Sequence, residues 1–425
     1  MTRTDRKLTE RLFERGVIKV LCCTATLAWG VNLPAYAVII KGTLVYNANR
    51  GGFVDLSILD VLQIFGRAGR PQFEDQGVGY ILTSHDKLSH YITTITQQIP
   101  IESRFIEKLE DNLNAEISLG TVTNLDEASR WLSYTYFYVR IRRNPFRYGI
   151  SWKDLSEDPQ LVQHRQSLIS IAAQKLHNAQ MIVFDVKTGF LTPKDLGRIA
   201  SSFYISTHSI ETFNVYMKPR MTEADVLKML SLSSEFENIK VRDEEVVELK
   251  KLEKSSCACD VDTFDSFSGK ANVLLQSYIS RCNPEDFALI SDTAYVSQNA
   301  SRILRALFQI ALSRSWGPTA SVILTLSKGV DKKMWSFETP LRQFDLPFEI
   351  LNKVEHLPQS SIESLKDISE VELGELIRNK KMGAVVNRYL NSIPLLHLEA
   401  KVSPITRTVL RIQLSISSST FSKIT

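Results

Sequence analysis

Two arginines separated by an alanine and a glycine, Arg67 and Arg70 in the run QIFGRAGRP (Gln63 to Pro71), are the residues of this chain best suited to chemistry. Guanidinium groups grip phosphate oxygens through paired N–H donors, and the small neighbours Gly66, Ala68 and Gly69 leave room for an anion to approach. Aimed at a transferring phosphoryl group, such arginines stabilise the charge that develops on it. A solvated arginine pair at a helix end fits the same residues. A second run, CTATLAWGVNLP (Cys23 to Pro34), sets a polar, glycine-containing loop after an apolar stretch. Open α/β sheets bind ligands at such strand-to-loop transitions. Thr24 and Thr26 can hydrogen-bond phosphate and Asn32 can contact a ribose or base, although an ordinary loop would look similar.

Nucleic-acid contact is a further possibility along the predicted helix Val296 to Trp316. Gln298, Arg302, Arg305, Gln309 and Trp316 recur on one side of a regular helix, with Ile303, Leu304, Leu307, Ile310 and Ala311 opposite as the core-facing side. Arginine can pair with phosphate and tryptophan can stack on bases, while a solvated polar face is the plainer explanation. From Tyr136 to Lys153 there is no acidic residue, and Arg140, Arg142, Arg143, Arg147 and Lys153 alternate with aromatics. That pattern can track a phosphate backbone, or its aromatics can be core. Cys257, Cys259 and Cys282 lack a second cysteine pair or suitably placed histidines, so no zinc site is expected.

These residues must be positioned by more than one domain. The chain has 425 residues, 44% hydrophobic and 23% charged, with a net charge of +4, which excludes a wholly disordered chain and makes any basic surface local. Five cysteines are too few for a disulfide framework and imply a reducing compartment. The start of the chain does not resemble a secretory leader. No charge falls between Lys19 and Lys41, but Gly30, Asn32 and Pro34 interrupt the run, so strand, loop and strand fit better than a membrane helix.

The first hundred residues alternate between the two periods: a helix from Leu8 to Gly16, strands at IKVLCCTA and YAVIIKG, a hairpin from Thr43 to Leu56, a helix through QIFGRAG and a strand at GVGYILT. This predicts a mostly parallel sheet. Helical patterns dominate afterwards, with a strand-like MIVFDVKTGFL, and the chain closes on the alternating LEAKVSPITRTVLRIQLSIS. One or two strands do not make a stable sheet alone, which predicts the truncated start of a β domain.

In this order the two opening motifs resemble motifs V and VI of superfamily two helicases. ATLAWGVNLPA, VIIKGT and DVLQIFGRAGRPQFE are similar to the Ski-two-like group with large paired cassettes. Downstream, DNLNAEISLGTVTN, TYFYVRIRRNPFRYGIS, NVLLQSYISR, SDTAYVSQNASRILRALFQIA, PLRQFDLP and SPITRTVLRIQLSI extend the resemblance, nearest to the N-terminal cassette of the cointegrator-complex helicases, with the spliceosomal helicases second. The resemblance implies a multidomain α/β plus mostly α fold: residues 1–100 as the C-terminal part of a second RecA-like domain, 101–215 a winged helix, 216–268 a connecting segment, 269–345 a helical bundle with a ratchet helix, 346–394 a helix-loop-helix, and 395–425 the truncated start of a fibronectin-type-III-like β-sandwich. It implies Arg67 and Arg70 as arginine fingers with Gln63 beside the nucleotide. Gly30, Asn32 and Gly66 would approach the nucleotide and Thr24 the nucleic-acid backbone. Gln298, Arg302, Arg305, Gln309 and Trp316 would belong to the ratchet, and the hairpin Thr43 to Leu56 would separate strands. ATP and magnesium are the implied cofactors. RNA or DNA, other subunits of a cointegrator-type complex and the ribosome are the implied partners, in nucleus and cytoplasm.

The departures matter as much. The chain has no GxxxxGK[ST] run and no DExH box; Asp243-Glu244-Glu245-Val246 resembles one only superficially. An ATP-dependent helicase working three-prime to five-prime is therefore expected of the whole enzyme, and no ATP hydrolysis of these residues alone. A non-catalytic module binding nucleic acid or protein is the alternative.

Overall fold

Residues 3–23, 35–47, 52–69, 76–97, 101–261, 266–344, 346–357 and 361–418 are described by a computed structural model. Its contacts divide into two units, Met1–Ile210 with Ser234–Val241, and Glu211–Ser233 with Arg242–Thr425. Thr24, Gly30, Asn32 and Arg70 lie outside the described residues.

In the first unit, strand β1 (Ala37–Lys41) runs parallel to β4 (Val78–Leu82), with Ala37 opposite Val78 and Lys41 opposite Leu82. Between them in sequence, β2 (Leu44–Asn47) and β3 (Gly52–Asp55) form the expected antiparallel hairpin. The helix Ile58–Phe65 follows, started by Ser57, whose hydroxyl accepts from the Asp60 N–H at 3.2 Å. Ile40, Leu56, Val61 and Tyr91 form the local core, and the Tyr91 hydroxyl donates to the Leu56 carbonyl at 2.9 Å. Two expectations change here. The parallel sheet comprises only β1 and β4 among the described residues. The described part of IKVLCCTA, Ile18 to Cys23, is not a strand, and Val20 is 78% exposed. β-branched residues favour a strand only where a neighbouring ladder receives their backbone groups, and no described strand runs beside them.

Residues 105–203 form a run of helices closed by a short β-hairpin, where a winged helix is expected. A short 3-10 turn, Phe105–Lys108, leads into the helix Leu109–Leu119, so the helical pattern read from Ile101 becomes regular only at Leu109. Leu125–Ser133 and Tyr136–Arg143 are separate helices, the second opened by the Thr135 cap. Val162–Asn178 packs against the first two of these helices. β5 (Ile182–Phe184) and β6 (Leu191–Pro193) pair as the wing, and an antiparallel bridge from Asn124 to Phe190 attaches the hairpin to the helices. Leu113, Leu132, Ile169, Leu176 and Ile182 are fully buried at its centre.

Glu102 fastens the entry to this domain. Its carboxylate accepts from Arg140 Nη2 at 2.9 Å, Asn144 Nδ2 at 2.9 Å and the Tyr148 hydroxyl at 2.8 Å. Arg140 and the other two donors hold its pKa at about 2. The segment Tyr136 to Arg143 thus divides its residues: Phe137, Arg140 and Ile141 are buried, while Arg142 and Arg143 are exposed.

The second unit is centred on the long helix Phe287–Ser313, packed between Phe267–Ile279 and Gly317–Lys332. A charged group lies inside it. Lys270 is 0% exposed and reaches Glu245 at 2.6 Å and Asp292 at 2.8 Å, with Arg242 also paired to Glu245. Glu245 therefore serves as a counterion inside the protein, which explains the DEEV run without metal chemistry. A second core, with Leu341, Ile350, Val354, Leu373 and Leu390, gathers the helices of residues 348–392. β7 (Leu396–Pro404) and β8 (Leu410–Ser418) end the described chain as one antiparallel hairpin.

Candidate functional site

The GRAG segment is fixed by backbone geometry. The Ile58–Phe65 helix stops at Gly66, and the chain then turns so that Ala68 forms a parallel bridge with Ala35. Ala35 N–H donates to the Arg67 carbonyl at 2.8 Å, and Gly69 N–H donates to the Ala35 carbonyl at 2.8 Å. Gly69 has φ +93°, and a Cβ on Gly77 would come within 2.4 Å of Ala68 C and Gly69 N. Both positions therefore require glycine, the first for its dihedral and the second for the close approach. The result is a tight loop running beside the residue that follows the Cys23 to Pro34 run. Gln63 and Gly66 are exposed on it and Arg67 is half-buried.

The arginine stripe is partly as expected. Ile303, Leu304, Leu307, Ile310 and Ala311 are all 0% exposed, while Gln298, Arg305 and Gln309 are exposed and Arg302 is half-buried on the same helix. Trp316 is not on that helix. The helix ends at Ser313, Ser315 takes φ +58°, and Trp316 caps the next helix, which starts at Gly317-Pro318. Extending a regular helix to Trp316 ignored this break, for which Gly-Pro was the available signal. The Trp316 ring instead carries the Arg314 guanidinium 5.1 Å from its centroid.

Two of the stripe's arginines are oriented by neighbours. Arg302 Nη2 donates to Asn299 Oδ1 at 2.7 Å. Arg305 Nη2 reaches Asp331 Oδ2 at 2.8 Å, and the Ser301 hydroxyl donates to the other Asp331 oxygen at 2.6 Å. Burial alone would raise the Asp331 carboxyl, but these hydrogen bonds outweigh it and hold it below the usual range. Sequence reading missed Asp331, because nothing in a single chain links it to a helix thirty residues away. Among the described residues no group of three or more His, Cys, Asp or Glu side chains is placed to hold a metal ion. No helix there is long and apolar enough to cross a membrane.

Helices closed by a short hairpin, a helical bundle, a smaller helical cluster and a β-hairpin follow one another along the chain, which is similar over nearly its whole length to Ski-two-like helicases. Within that class, the chain belongs to the Sec63 Brl domain family, which matches residues 193–425, and a winged helix-turn-helix domain of the SNRNP200 type matches residues 102–178. The yeast (Saccharomyces cerevisiae) RQC trigger complex helicase SLH1 is 53% identical over 418 residues, 98% of this chain and 21% of its own length. Human (Homo sapiens) activating signal cointegrator 1 complex subunit 3 is 53% identical over 418 residues, 98% of this chain and 19% of its own. The Arabidopsis thaliana DExH-box ATP-dependent RNA helicase DExH14 is 50% identical over 420 residues, 98% of this chain and 19% of its own. The chain thus spans about a fifth of the length of these relatives.

Proposed function

We propose that these 425 residues are the arginine-finger side and the strand-guiding side of an ATP-dependent nucleic-acid helicase cassette, the N-terminal one of a paired-cassette enzyme. The observation that carries the reading is the double backbone hydrogen bond between Ala35 and the GRAG loop. It sets motif VI against the end of motif V, as one nucleotide contacted by both would require. Residues 1–100 are then the closing part of a second RecA-like domain, with β2 and β3 as the strand-separating hairpin. Residues 101–215 form the winged helix, 216–268 the connection, 269–345 the bundle with its ratchet, 346–394 the helix-loop-helix and 395–425 the opening of a sandwich.

The residues present fit the triphosphate better than the metal. Gln63 and Gly66 on the exposed rim and Arg67 within it are donors or small groups suited to phosphate and ribose, and Arg70, Gly30 and Asn32 are assigned beside them by motif. Arg67 and Arg70 would hold the γ-phosphate oxygens and spread their charge as the bond to the leaving group lengthens. Magnesium, when bound, neutralises charge between the phosphates; the described residues offer it no carboxylate cluster, so its ligands belong to a facing lobe. Thr24, Gln298, Arg302, Arg305 and Gln309 would contact the strand as it is drawn three-prime to five-prime. Trp316 is reassigned to the end of that path as a stacking group outside the helix. RNA is the favoured strand, because the Arabidopsis relative is an ATP-dependent RNA helicase. Subunits of a cointegrator-type complex and the ribosome-quality-control machinery are the proposed partners, in nucleus and cytoplasm.

The test is ATP turnover by the purified 425-residue chain, measured with and without single-stranded RNA. No turnover above background is expected from half a site. Turnover that Arg70→Ala abolishes would overturn the assignment.

A further inference from the structure

An exposed aromatic pair on the winged helix has no role in the nucleotide site or the arginine stripe. Phe146 is 55% and Trp152 67% exposed, and their rings meet edge to face at 5.3 Å and 75°. Held together, the two rings make a contiguous exposed apolar patch, and such a patch marks an interaction site more often than a lone exposed ring does. The turn that bears Phe146 is rigid from within. Pro145 is buried, and Asn144 and Tyr148 on either side are both bonded to Glu102, at 2.9 Å and 2.8 Å. Phe146 is thus directed outward by its neighbours. Trp152 opens the helix Trp152–Glu157, whose start is closed by a reciprocal Ser151–Asp154 cap.

The residues flanking the pair are mostly cationic. Arg143, Arg147 and Lys153 are exposed within three residues of it, and no acidic residue occurs from Tyr136 to Lys153. The nearest carboxylate in sequence, Asp154, is turned to its own cap, where it accepts from the Ser151 N–H at 3.1 Å and hydroxyl at 2.8 Å. Of the other two cations of the stretch, Arg140 is taken up by Glu102 and Arg142 lies over the Tyr138 ring, 5.7 Å from its centroid. Exposed rings with exposed cations beside them match a chain of bases on a phosphate backbone, because any base can stack on a ring while each phosphate meets a guanidinium or ammonium. A duplex offers no open base faces except at its ends, which favours a single strand.

We propose that Phe146 and Trp152, with Arg143, Arg147 and Lys153, form a second stacking site for single-stranded nucleic acid, in addition to the stripe on Phe287–Ser313. The proposal rests on the nucleic-acid reading above. Its test uses the intact protein and two fluorescein-labelled probes, oligouridine and oligothymidine of twelve nucleotides, titrated across a range of salt. Phe146→Ala with Trp152→Ala should weaken binding at least about fivefold, with Trp152→Phe restoring most of it. Arg147→Gln with Lys153→Gln should lower the salt slope by about 1.4, two phosphate contacts at about 0.7 each for a single strand. An oligouridine preference would identify RNA as the source of the strand, and equal loss on both probes a contact blind to sugar; either supports the site. Unchanged affinity and slope in both variants, with folding verified by circular dichroism, would overturn it. So would hydroxyl-radical footprinting in which both rings are already covered by protein before nucleic acid is added. If these variants bind normally while Arg67→Ala still abolishes ATP turnover, this site falls and the helicase reading stands.

Discussion

Glu102 collects three donors, and that makes it a titration point for the winged helix. Its pKa is held at about 2, below the ordinary carboxylate value near 4.3, so the folded state binds the proton less readily than the unfolded state. The stabilisation is complete above the unfolded value and is lost as pH falls from there through about 2. Thermal unfolding should therefore show an acid limb below about pH 4.5 that Glu102→Gln removes, together with a lower melting temperature at pH 7. An identical acid limb in that variant would exclude the role. At the nucleotide side, Gly77 has no space for a methyl group: its Cβ would sit 2.4 Å from backbone atoms of the GRAG loop. Gly77→Ala should cost about 1–3 kcal/mol by overpacking and displace Arg67, which chemical denaturation and ATP turnover of the intact enzyme would register together.

At the scale of elements, the helix Phe287–Ser313 is anchored by Asp292 on the buried Lys270, which also holds Glu245. Removing a partner from a buried ion network leaves an uncompensated charge, so Lys270→Ala should destabilise the second unit by roughly 3–5 kcal/mol in urea unfolding. On the exposed side of the same helix, Arg305 is paired with Asp331 at 2.8 Å. Asp331→Asn should tighten single-strand binding up to about fivefold, the scale of an exposed ion pair, whereas Arg302→Ala with Arg305→Ala should weaken it and flatten its salt dependence. Much of this framework was legible in the residues. The helical spacing of Ile303, Leu304, Leu307 and Ile310 pointed to a buried face, and the short apolar runs in VIIK and GYIL to the paired strands β1 and β4. What could not be read was set by distant neighbours. Val17 to Cys23 has strand composition without a described ladder. Trp316 lost its place on the helix to a backbone break. The Ala35–GRAG bridge uses main-chain groups, which leave no mark in side-chain spacing.

For the whole molecule, the proposed function draws on each unit separately. The first has a tightly built loop presenting Arg67, and the second has a long helix whose exposed side carries arginines held by Asn299 and Asp331. Neither contains the lysine-bearing loop that cradles a triphosphate, nor a DExH box, in its sequence. The chain covers about a fifth of its relatives, and the account assigns those missing parts to a facing lobe. Its central claim is therefore a claim about a group that acts across a gap: Arg67 stabilises charge in the transition state and contributes little to ground-state affinity. The most direct measurement is ATP turnover and ATP binding by the intact enzyme carrying Arg67→Ala, under saturating single-stranded RNA. The account predicts a kcat reduced by about a thousandfold or more, the scale of a lost arginine finger, with ATP affinity changed only severalfold. Wild-type kcat in that variant would contradict it.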